Sequence, residues 1–184
     1  MYKSILFSIL GCASLTAMAT PLPTPPAQTE AKHCCGNCAE KDMAAYLMVF
    51  FTDETHDLFM ATSPDGYTFT AVNNGKPVIA GDSIAEQKGI RDPHITRGPD
   101  GAFYLAMTDL HIYAQREGLR DTEWERPGED YGWGNNRGLV LMKSYDLINW
   151  ERTNLRIDKL FPEKFGNIGC AWAPETTYLS LIHI

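Results

Sequence analysis

Residues 89–95 read Gly-Ile-Arg-Asp-Pro-His-Ile and bring a guanidinium (Arg91), a carboxylate (Asp92) and an imidazole (His94) close together. Such a group can take or give protons, or orient a polar ligand; Asp92-Pro93 is equally ordinary turn chemistry. A second group, Trp172-Ala173-Pro174-Glu175, sets a carboxylate three residues after an indole. Glu175 there is either a charged partner for a catalytic group or a solvated residue at a strand edge. A third feature is the long stretch 111–136, which holds Tyr113, Trp124, Tyr131 and Trp133 and closes with Trp133-Gly134-Asn135-Asn136-Arg137. Further forward, Cys34, Cys35 and Cys38 cluster, with Cys35 and Cys38 in C-x-x-C spacing. A zinc site would want a second ligand pair, and only Cys170 follows downstream. Disulfides among Cys34, Cys35, Cys38 and Cys170 are the alternative, with three connectivities open.

The elements that must position these groups read as strands. Residues 46–52 are an apolar, aromatic run; residues 58–63 and 67–72 follow across the Asp65-Gly66 turn. Residues 92–96, 103–108, 138–144 and 150–155 form a second set. No segment sustains a helical period, which predicts an all-β fold. The two sets share an order: strand, Ser, acidic turn, aromatic. Ser63-Pro64-Asp65-Gly66-Tyr67-Thr68-Phe69 in the first corresponds to Ser144-Tyr145-Asp146-Leu147-Ile148-Asn149-Trp150 in the second. A unit of a few short strands, repeated with turn signals, is the signature of a β-propeller blade. The first unit has three strands and the second four, and residues 171–178 would begin a third. A ring closes with at least about four blades of roughly 40–50 residues each. The sequence is therefore expected to hold about two and a half blades, the amino-terminal part of an incomplete propeller.

The chain has 184 residues, 44 % hydrophobic and 21 % charged, with a net charge of −7, which suits a globular protein and argues against a basic nucleic-acid footprint. Residues 1–19 combine Lys3, a short apolar run and Ala17-Met18-Ala19, the pattern of a cleaved signal peptide. A competing reading takes Ile9-Leu10-Gly11-Cys12 as a lipobox, and only lipidation of Cys12 would tie the protein to a membrane. Either way export is expected, to a periplasm, cell surface or medium. Residues 20–43 are a Pro-rich linker and the cysteine cluster, 44–178 the propeller part, and 179–184 a tail that reads as non-native or truncated.

The motifs together resemble glycoside hydrolase family 43. The matching residues are Arg91-Asp92-Pro93-His94-Ile95, Asp100-Gly101 with Phe103-Tyr104, Ser144 with Asp146-Leu147-Ile148-Asn149-Trp150, and Trp172-Ala173-Pro174-Glu175. The resemblance implies a five-bladed β-propeller that removes arabinofuranosyl or xylosyl units from plant polysaccharides with inversion of configuration. It implies Asp92 as the general base. Glu175 would occupy the position that tunes the general acid's pKa, where the family usually carries Asp. The family's general acid is a Glu in the following blade, beyond residue 184. Arg91, His94, Trp133, Asn136, Arg137 and Trp172 would bind substrate, with indole faces stacking on sugar rings and amide and guanidinium groups bonding to hydroxyls. The alternative for the stretch 111–136 is a loop folded on its own aromatics. No cofactor is required. Some relatives hold calcium through water near the axial channel, where His94 would sit. The fragment alone is expected to be inactive and poorly soluble, because an open ring leaves strand edges unpaired. The competing reading is a non-catalytic propeller that binds glycans or a protein partner.

Overall fold

The computed structural model describes residues 43–179. The expected signal peptide, Cys12, the cluster Cys34, Cys35 and Cys38, and the end of the tail lie outside the described residues. Seven strands form two antiparallel sheets, and the described helices are short turns of three or four residues, so the fold is all-β. No described helix is long and apolar enough to cross a membrane.

The first sheet runs β1 (Tyr46–Phe50), β2 (Phe59–Ser63) and β3 (Thr70–Ala71), each paired with its neighbour in sequence. The second runs β4 (Ile90–Arg97), β5 (Phe103–Asp109), β6 (Gly138–Ser144) and β7 (Glu151–Arg156), again in sequence order. These are the three and four strands expected from the repeat. In β6 the burial alternates strictly, with Gly138, Val140, Met142 and Ser144 turned inward. One core joins the sheets: Leu58 and Met60 pack with Ile90, Leu105, Met107, Val140 and Met142. Burying a side chain of this size contributes about 1.5–3 kcal/mol, so this shared core is what holds the sheets together.

The repeat extends to single hydrogen bonds. Ser63 Oγ donates to Asp65 Oδ1 at 2.8 Å, and Ser144 Oγ to Asp146 Oδ1 at 3.0 Å. The Gly66 N–H reaches Ser63 Oγ at 2.9 Å, as the Leu147 N–H reaches Ser144 Oγ at 2.8 Å. The backbone N–H groups of Thr68 and Tyr67 hold the Asp65 carboxyl down to about 2. Asn149, through its backbone and side chain, and then the Ile148 N–H hold Asp146 low in the same way. Both turns need a left-handed residue at the same place, Gly66 with φ 76° and Leu147 with φ 63°. Glycine meets that need without strain; leucine does not.

Residues 171–178 differ from expectation. They form no strand among the described residues. Instead the segment is fastened at intervals to the second sheet and the loop before β6. The Ala171 N–H donates to Asn136 O at 2.8 Å, the Ala173 N–H to Thr108 Oγ1 at 2.9 Å, and the Thr176 N–H to His94 Nδ1 at 3.3 Å.

Candidate active site

The site begins with a fault in the β4–β5 ladder. Arg91 pairs with Thr108 and His94 with Ala106, so Asp92 and Pro93 together face the single residue Met107. This is a β-bulge, the arrangement that re-aims a side chain and that tolerates a proline without an N–H to donate. Asp92 takes the left-handed conformation with φ 47°, which costs a non-glycine residue about 1–2 kcal/mol. Its carboxylate accepts a hydrogen bond from Thr108 Oγ1 at 3.1 Å. The same hydroxyl oxygen accepts the Ala173 N–H. Ala173 is itself left-handed, with φ 47°. Thr108 is fully buried and Asp92 half-buried.

Around this centre the structure assembles several of the expected residues. His94 Nδ1 accepts the Thr176 N–H, which leaves the ring proton on Nε2 and makes that atom the donor. Trp172 is tied to Asn136, its Nε1–H donating to Asn136 Oδ1. Its ring meets Trp133 edge to face at 5.4 Å, and Trp133 meets Trp124 at 5.6 Å. The cascade runs from buried Trp124 out to Trp133, which is 65 % exposed, with Trp172 40 % exposed. Gly134, at φ 66°, lies so close beneath Trp172 that a Cβ there would overlap the indole. Glu175, in the same fastened segment, is exposed.

The remaining expected residues are engaged by the protein itself. Arg91 Nη1 bonds Asp53 Oδ1 at 2.6 Å and lies over the Phe51 ring at 4.6 Å. Asn136 is fully buried; its amide donates to the carbonyls of Asp109, Gly138 and Ala171. Arg137 bonds Glu125 through its backbone N–H, Nε and Nη2, and reaches Asp158 at 3.1 Å. Arg156 bridges the same two acids. These contacts pin the 111–136 stretch to the ends of β6 and β7, and so fix where Trp133 stands.

Thr108, next to last in β5, carries no distinctive pattern in the sequence. Only the register opposite Arg91 points to it. A buried imidazole pair likewise has no local sequence signal. His56 and His111 stack at 4.0 Å and 11°, beside Arg91. Burial, then His111 and Arg91, push the His56 pKa down to about 4. Asp109, at the end of β5, is pushed up to about 6 by burial, against the N–H groups of Gln87 and Glu86 that it accepts. Among the described residues no three His, Cys, Asp or Glu side chains converge. Cys170 has no disulfide partner among the described residues.

A carboxylate lifted out of a ladder, a fixed imidazole donor and an exposed indole pair suit a carbohydrate ligand. The family comparison decides the class: residues 41–181 match the family described as "Probable glycosyl hydrolase domain". The chain belongs to this family 43-related group of glycosyl hydrolases. An alpha-L-arabinofuranosidase from Bifidobacterium longum subsp. longum is 31 % identical over 117 residues, which are 60 % of this chain and 9 % of that protein. The chain therefore spans less than a tenth of the length of that glycosidase. Among solved structures, a glycosyl hydrolase from Bacteroides ovatus aligns over 62 % of this chain and 27 % of its own, with 24 % identity and a TM-score of 0.39. A structure from the GH130 family of mannoside phosphorylases, which contains glycoside hydrolases that target beta-1,2 mannosidic linkages in Candida mannan, aligns over 69 % of this chain and 33 % of its own, with 19 % identity and a TM-score of 0.43.

Proposed function

We propose that this glycosyl hydrolase cleaves arabinofuranosyl or xylosyl linkages of plant polysaccharides with inversion, and that its two sheets are the first blades of a five-bladed propeller. The observation that carries the reading is the Asp92 bulge, which frees a carboxylate from the strand and sets it one hydroxyl away from the Trp172–Glu175 segment. In this reaction Asp92 takes a proton from water as the water oxygen bonds to the anomeric carbon. The bond from that carbon to the leaving oxygen breaks on the opposite face, and a protonated carboxyl group of a later blade gives its proton to the leaving oxygen. The two carboxyl groups of inverting enzymes stand about 6.5–9.5 Å apart to admit the water.

Glu175 is assigned to tuning that acid, carrying the charge one methylene further than the family's usual Asp. Trp133 and Trp172 offer stacking faces, and His94 Nε2 a donor to a hydroxyl. Arg91, Asn136 and Arg137 support binding by holding the loops that carry these groups. The protein is exported by residues 1–19, and its partner is an oligo- or polysaccharide.

The test is the product anomer. The full-length protein is given an aryl α-L-arabinofuranoside and an aryl β-xyloside, and the first-formed sugar is followed by proton NMR. Release of the opposite anomer is expected; retained configuration, or binding of xylan and arabinan oligosaccharides without turnover, contradicts the proposal.

A further inference from the structure

We infer that Thr108 is a positioning residue for the Asp92 carboxylate, acting through its hydroxyl; this rests on Asp92 being the general base. A threonine hydroxyl has one proton to give and lone pairs to receive. The Ala173 N–H points at the Thr108 oxygen from 2.9 Å and occupies a lone pair. The hydroxyl proton is therefore directed to Asp92 Oδ2 at 3.1 Å. Thr108 has no exposed surface, so water does not compete for that proton.

The consequence is mechanical as well as electrostatic. Asp92 and Ala173 are both left-handed, each held against an unfavourable backbone conformation. One hydroxyl connects them, so the bulge that carries the base and the segment that carries Trp172 and Glu175 are set relative to each other by Thr108. With Oδ2 held, Oδ1 is the oxygen free to face a water. Placing a base within a few tenths of an ångström is the kind of task that costs rate rather than affinity when lost.

The experiment compares Thr108→Val, which keeps the shape and removes the hydroxyl, with Thr108→Ser, which keeps the hydroxyl. Both are made in the full-length protein beside Asp92→Asn, with melting curves for each. Thr108→Val is expected to lower kcat about 10- to 100-fold, with KM changed less than about threefold, because a hydrogen bond to a charged group is lost only at the base. Thr108→Ser is expected to recover most of the rate. If Thr108→Val does not fold, Thr108→Ala carries the same expectation. An inactive Asp92→Asn together with a fully active Thr108→Val overturns the inference while leaving the base in place. Equal losses in Thr108→Val and Thr108→Ser assign Thr108 a packing role instead and overturn it too. An active Asp92→Asn removes the base, and the inference with it.

Discussion

Thr108 and Asp92 lie on neighbouring strands, yet they are not ladder partners: Thr108 pairs with Arg91, and its hydroxyl reaches past the ladder to Asp92 Oδ2 at 3.1 Å. The bulge makes that reach feasible. Inserting one extra residue in β4 turns Asp92 out of the pleat and toward the end of β5, where the Trp172 segment is fastened. A regular strand with the same sequence would leave the carboxylate in the alternation of faces, away from Ala173.

The exposed indole should act on binding more than on folding. Trp133→Ala is expected to raise KM about tenfold or more with a small change in kcat, and to cost less than about 1 kcal/mol of stability because the ring is 65 % exposed. Kinetics on arabino- and xylo-oligosaccharides, with a thermal melt of each protein, check both halves of this expectation.

The paired turns respond differently to exchange of their left-handed residue. Leu147 sits at φ 63° where the equivalent residue of the other sheet is Gly66 at φ 76°. Leu147→Gly should leave stability within about 0.5 kcal/mol, because the relief of left-handed strain is offset by the lost half-buried side chain and the freer unfolded chain. The converse change, Gly66→Ala, should destabilise by about 1 kcal/mol, since it adds strain and a Cβ 3.3 Å from the Tyr46 ring. Urea unfolding midpoints compare the two directly.

Glu125 is the anchor of the 111–136 stretch. It is 8 % exposed and is shared by Arg137 and Arg156. Glu125→Ala leaves two guanidinium groups short of a partner and is expected to destabilise by about 3 kcal/mol, read as a drop in the unfolding midpoint.

Acid stability should reveal two opposing groups. His56, with its pKa lowered to about 4, binds its proton less readily folded than unfolded; its contribution is lost as pH falls from about 6.5 to about 4. Asp109, raised to about 6, holds its proton more readily when folded, so its contribution grows as pH falls over much the same range. His111, also lowered by burial, adds to the loss. His56→Gln should therefore flatten the acid loss of stability between pH 6.5 and 4, and Asp109→Asn should steepen it. Unfolding free energies across that range test both slopes.

Much of this architecture is legible without coordinates. The Ser-acid-aromatic turns repeat because the same Ser and Asp side chains must satisfy the same turn N–H groups, and that necessity shows as sequence. The strand sets follow from apolar runs bounded by those turns. The Arg91–His94 motif coincides with the bulge in β4. Other features are not local. The bulge is defined by what faces Asp92 on another strand, and Thr108 acquires its place only through that register. Asn136 and Arg137 look like ligand donors in sequence, but burial of one and the partners Glu125 and Asp158 of the other engage them within the fold. Residues 171–178 look like a strand by composition, whereas here they are held by separate hydrogen bonds rather than by a ladder.

The central claim is that the Asp92 carboxylate activates water. Its most direct measurement is kcat/KM of the full-length protein and of Asp92→Asn on an aryl arabinofuranoside and an aryl xyloside, with matched melting curves. A fall of about a thousandfold at unchanged stability is the expected result. Activity within tenfold of the unsubstituted protein would contradict it.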